Sequence, residues 1–109
     1  MAMSGPKKKL GVLLSTGPAH PNLETAVRLA EAALARDTDV YLYLIDEGVR
    51  NLAEPRLRAL ARRGARLFVC AYSCQKRRLP LEDAPELTYC GLVVLTDLLN
   101  GTDRFVALN

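Results

Sequence analysis

Short apolar runs separated by helix-patterned segments limit what this chain can fold into more than any other feature. Residues 10–14, 40–45 and 67–70 are each too short for a helix, and none contains a charged residue. Runs of this kind are strands covered on both faces, as in a parallel sheet between helical layers. Residues 23–35 carry Ala26, Val27, Leu29, Ala30, Ala33 and Leu34 at helical spacing, with Asn22 placed to cap the start and Glu24 in the first turn. A short helical turn over 49–52 precedes a basic helix opened by Pro55, facing Leu57, Leu60 and Ala61 inward and stopped by Gly64. Arg56, Arg58, Arg62 and Arg63 form its solvated side.

Beyond residue 70 come a short helical turn, a loop over 80–86 with two prolines, and a short strand at 87–89. A last helix over 91–100 is expected to turn Leu92, Leu95, Leu98 and Leu99 inward. A closing strand over 103–108 alternates enough to sit near an edge. The order predicts an α/β protein, a three-layer α/β/α sandwich with a mainly parallel five-stranded sheet. At 109 residues this is one domain over 10–109, preceded by a flexible tail over 1–9.

Composition then removes function classes. A net charge of +3 is too small to argue for direct nucleic-acid binding. No apolar run reaches the roughly 18–20 residues that span a bilayer, and the run after the lysine tail is too short for a signal sequence. One histidine and no C-x-x-C pair leave no zinc set. One glycine in the first loop gives neither a dinucleotide fingerprint nor a Walker A motif. Neither metal nor cofactor is expected. The three cysteines, Cys70, Cys74 and Cys90, read as reduced thiols of a cytoplasmic protein.

The chemistry concentrates at Cys70. In parallel α/β sheets, ligands gather at the carboxyl ends of the strands, and Cys70 ends the third. A helix start follows it, then Lys76, Arg77 and Arg78, so a thiolate there is expected to be stabilised. Against this stands the plainer role of a small buried hydrophobe. Cys74, one helical turn on, is the candidate resolving thiol; for Cys90 the packing role weighs more. Thr16, Gly17 and His20, in the first loop on the same rim, are candidates to hold an anion or an outer sulfur. A phospho-acceptor receiver would need acidic residues after the first strand, where Ser15 and Thr16 stand. A cysteine phosphatase or arsenate reductase loop needs arginine at the sixth residue after the cysteine; here that residue is Lys76.

Three segments carry a family resemblance: 10–18, ending in Thr16-Gly17-Pro18; 67–70 with the following basic residues; and 87–106, with Gly91-Leu92 and Asp103-Arg104-Phe105-Val106. Together they resemble the DsrE/DsrF-like (TusD/YchN-like) sulfur-relay family over nearly the whole domain. The resemblance implies a sulfurtransferase-like carrier holding sulfane sulfur as a persulfide on Cys70 and passing it to a partner thiol. It also implies a trimer or hexamer, of one chain or of related subunits, with persulfide donor and acceptor proteins as partners. Some relatives lack the cysteine and are structural subunits, so Cys70 points to an active member. The alternatives are a non-catalytic oligomer subunit or small-ligand binder of the same fold, or a cysteine-based anion-handling enzyme. Two departures bear on the pathway more than on the chemistry: after the cysteine, where relatives often have small residues and R-G, this chain has Cys74 and Arg78-Leu79, and its connection after the second strand is shorter than in the tRNA-thiolation subunit.

Overall fold

The computed structural model describes residues 7–109. Five strands, β1 (Lys9–Leu14), β2 (Asp39–Leu44), β3 (Arg66–Cys70), β4 (Leu87–Cys90) and β5 (Arg104–Leu108), form one sheet in the order β4-β3-β2-β1-β5. Every neighbouring pair is parallel, and β5 is an edge strand, as its alternation suggests. The helices are α1 (Asn22–Ala35), α2 (Pro55–Arg62), α3 (Ala71–Lys76) and α4 (Leu92–Gly101), with a 3-10 segment (Asp46–Ala53) between β2 and α2. The three-layer α/β/α architecture is as expected.

Strand alternation divides the core into two unequal halves. Val12, Leu14, Val40, Leu42, Leu44, Leu67 and Val69 are buried on the face that α1 and α2 cover. Ala26, Val27 and Ala30 of α1 and Leu57 and Leu60 of α2 are buried as well. The chain then crosses from β4 back to β5 beyond β1, and a right-handed crossover in that direction puts α4 on the opposite face. There Gly11, Tyr41 and Phe68 meet Leu98, Thr102 and Phe105 in a thinner layer, with Tyr41 and Phe68 stacked at 6.5 Å.

Several expectations change in detail. The tail expected over 1–9 lies outside the described residues for 1–6. Its end is part of the sheet: Lys9 opens β1, its N–H donating to Asp103 Oδ2 at 2.7 Å, while Lys8 accepts from Asp39 N–H at 2.9 Å. The short turn expected over 49–52 is an eight-residue 3-10 segment. In α4 just one of the four leucines expected inside, Leu98, is buried; Leu92 and Leu99 are exposed and Leu95 is half-buried. Apolar residues take up well over half of the helix circumference, with Thr96, Asp97 and Asn100 on the rest, so its pattern does not fix which side meets the sheet. Arg58 is drawn in from the solvated side by donating to Leu52 O and to both Glu82 oxygens.

Candidate functional site

β3 alternates Leu67 and Val69 toward the α1 face with Phe68 and Cys70 toward the α4 face. Cys70 is the last residue of the strand and, with φ −68° and ψ 111°, still extended, so it becomes the N-cap of α3. Its Sγ accepts the Ser73 N–H at 3.4 Å. A thiolate or a persulfide anion accepts such a bond more strongly than a neutral thiol does.

Three groups surround that sulfur. Cys90 on β4 is the register partner of Cys70. Its Sγ donates to Val69 O at 3.7 Å. Burial pushes the Cys90 thiol up; the Tyr43 hydroxyl works against this, and Cys70 adds to it. Tyr43 on β2 is wholly buried and donates to Gly91 O, just before α4, at 3.0 Å. Burial first, then the neighbouring Cys90 and Cys70 thiols, hold its phenol well above the ordinary range. Tyr43 therefore keeps its proton. Cys74, one turn into α3, is also wholly buried; burial and then Cys70 raise its thiol, and Arg77 opposes them.

The electrostatics expected from the basic run are corrected. Lys76–Arg78 lies at the carbonyl end of α3, about 9 Å along the axis from Cys70 at 1.5 Å per residue. Arg78 takes a left-handed conformation, φ 57°, and Leu79 N–H bonds back to Cys74 O at 2.9 Å, closing the helix. Basic side chains there complement the helix's own carbonyls. Lys76 and Arg78 are exposed, and Arg77 is held by Glu47 Oε2 at 2.5 Å and by Ser73 O at 3.3 Å. The polar neighbours of Cys70 are thus a phenol, two thiols and a backbone N–H. Nor is the sulfur an open rim group: Cys70 is 3 % exposed, whereas Cys90 is half-buried.

Thr16, Gly17 and His20 do come together, in a groove of about 580 Å³ with Glu47 and Arg50. Cys70 does not line it. His20 accepts Asn22 N–H on Nδ1 at 3.0 Å, so the histidine ring caps α1; the cap position itself is Pro21, and Asn22 is the first helical residue. The 3-10 segment joins this groove to α3. Asn51 Nδ2 donates to Thr16 O and to Gly48 O, both at 2.9 Å, and Asp46 N–H donates to Ser73 Oγ at 3.0 Å. Glu47, its carboxyl held below the usual range by Arg77 and then Arg50, links the two sides.

Sequence reasoning missed Tyr43 and Ser73 and gave Cys90 the smaller role. A tyrosine in an apolar strand reads as core, and that two strands bring two cysteines into register is a fact of pairing. Among the described residues, no cluster of His, Cys, Asp and Glu could hold a metal, and no helix is long and apolar enough to cross a membrane.

Known proteins share this fold. The model of the DsrE/DsrF-like family matches residues 8–108. A crystal structure of the YchN protein from E. coli superimposes with a TM-score of 0.78 at 20 % identity, covering 94 % of this chain and 100 % of that one. A conserved protein of unknown function from Bacteroides thetaiotaomicron superimposes at 0.70 with 16 % identity, covering 93 % and 95 %. At those identities the likeness is one of fold. No curated protein sequence matches.

Proposed function

The chain belongs to the DsrE/DsrF-like family, and on that footing we propose that Cys70 carries sulfane sulfur as a persulfide and passes it to a thiol on a partner protein in the cytoplasm. The family is one of sulfur-relay proteins. The observation that carries the reading is the Cys70 sulfur at the strand-to-helix junction, an acceptor for the Ser73 N–H. That N–H is a donor aimed at the sulfur that makes and breaks each bond. The Cys70 thiolate attacks the terminal sulfur of a donor persulfide, the donor leaves as its own thiolate, and an acceptor thiolate later takes the outer sulfur from Cys70. Burial protects the persulfide between the two exchanges, and reaching the sulfur requires α3 or the start of α4 to yield locally.

Lys76, Arg77 and Arg78 then serve as a docking patch for an acidic partner rather than as tuners of the thiol. Thr16, Gly17 and His20 form a separate groove on the same edge. A transfer assay tests the proposal: with a persulfide donor and an acceptor thiol, the protein should accelerate arrival of sulfur on the acceptor by about tenfold or more over the uncatalysed exchange. An acceptor that gains sulfur at the same rate without the protein removes the carrier role.

Self-assembly is part of the same proposal. Leu92 at 63 % exposure, Val93 at 76 % and Leu99 at 52 % give α4 an apolar outer face, which a second copy of this chain would cover. Sedimentation at micromolar concentration should give the mass of a trimer or hexamer; a persistent monomer contradicts it.

A further inference from the structure

We propose that Cys90, rather than Cys74, is the thiol that discharges Cys70, releasing the carried sulfur as sulfide and closing a disulfide between β3 and β4. The inference rests on the carrier reading above and adds to it a second outcome for the loaded site.

The argument begins from strand pairing. Cys70 and Cys90 are partners at the last rung of the β3–β4 ladder. Partners on neighbouring strands lie about 4.8 Å apart, within the roughly 4.4–6.8 Å between Cα atoms that disulfides span. Their side chains leave the same face of the sheet, so joining them needs no shift of register. Tyr43 reaches the same place from β2, lying beside both thiols while bonded to Gly91 O. Cys74 is placed differently. It is wholly buried, and its carbonyl accepts the bonds from Arg77 and Leu79 that close α3. Pulling it toward Cys70 distorts that turn, and at its wholly buried position no water is at hand to take the thiol proton. Cys90 is half-buried, so water reaches its thiol and can take the proton that must leave before it attacks.

The step balances without an added oxidant. The Cys90 thiolate attacks Sγ of the Cys70 persulfide, the inner sulfur whose position the register fixes. A sulfur–sulfur bond forms between the two cysteines as the bond to the outer sulfur breaks. The electron pair departs with the outer sulfur as hydrosulfide, and the Cys90 proton passes to water. The outer sulfur is reduced to sulfide and the two cysteine sulfurs are oxidised to a disulfide. Hydrosulfide is a weaker base than a cysteine thiolate, hence the better leaving group. A chain loaded without an acceptor at hand thus empties itself and stays closed until a thiol reductant reopens it.

The test follows full-length protein, loaded with inorganic polysulfide and freed of excess, by intact mass, peptide mapping and sulfide release. Wild type should lose its extra sulfur, release one sulfide per chain and acquire a Cys70–Cys90 disulfide. Cys90→Ser should keep the extra sulfur and release sulfide at least about tenfold more slowly. Cys74→Ser should match wild type. Thermal melts establish that the variants fold, and diamide should form the same disulfide in unloaded wild type. Discharge by Cys90→Ser at the wild-type rate, a Cys70–Cys74 disulfide, or no Cys70–Cys90 link with diamide overturns the inference while leaving Cys70 as carrier. No extra sulfur on any of the proteins brings down both.

Discussion

Replacing Gly48 with alanine should destabilise the chain by roughly 3–5 kcal/mol, a large share of what holds a domain of this size together. A Cβ at that position would stand 1.9 Å from Leu14 O, 2.7 Å from Leu14 C and 3.2 Å from Ser15 Cα. All three are backbone atoms, so no side chain can swing aside. Leu14 O already accepts Ile45 N–H at 3.1 Å, and Gly48 N–H donates to Ile45 O at 2.8 Å. Making room separates the end of β1 from the 3-10 segment and breaks those bonds. The damage reaches the site, because the same segment holds Ser73 through Asp46 and Arg77 through Glu47. Gly101→Ala is the matched control: nothing lies within 4 Å of its added Cβ, and it ends a helix. That change should shift stability by less than about 1 kcal/mol, toward greater stability. Urea midpoints measure both, and a Gly48→Ala midpoint equal to wild type would show that β1 and the 3-10 segment are not in this contact.

Cys70→Ser should leave a folded protein that takes up no sulfur from a persulfide donor. Serine is close in size, and its oxygen accepts an N–H at a helix start at least as well as sulfur does. The Ser73 bond and the start of α3 therefore survive. The cost is a more polar atom in a nearly closed pocket, about 1–2 kcal/mol. An alkoxide is not formed there at neutral pH, so this position loses the nucleophile that takes up sulfur. Intact mass after loading reads the loss, and a melt within a few degrees of wild type shows that the loss is chemical. Uptake equal to wild type would take the role from Cys70.

Much of the fold was legible because burial on both faces writes strands as unbroken apolar runs. Residues 10–14, 40–45 and 67–70 match β1, β2 and β3 to within a residue at each end. The left-handed turn after α2 was legible too, since Gly64 takes φ 110°. After α1 the turn at Asp37 and Thr38 was legible as well, but not its left-handed form: Asp37, like Arg78 after α3, takes φ 57° without glycine's signal. The facing of α4 was illegible for a different reason, since an apolar face covering well over half of the circumference leaves its inward side undetermined.

For the site, the sequence located Cys70 at the end of its strand but misjudged its surroundings. Nearness along the chain suggested that Lys76–Arg78 faced the sulfur, whereas a helix of two turns puts the two at opposite ends. Its neighbours Tyr43 and Cys90 come from other strands, and register is settled by three-dimensional pairing. His20 was expected at the sulfur and instead caps α1, a backbone N–H being its nearest unmet need.

The most direct measurement is the position of the added sulfur at the earliest times of loading. Wild-type protein would be exposed briefly to a persulfide donor, blocked with an alkylating reagent, digested and fragmented. The account predicts the extra sulfur on Cys70, ahead of any on Cys74 or Cys90. Sulfur arriving first on either of those two, or uptake spread over all three, would contradict it.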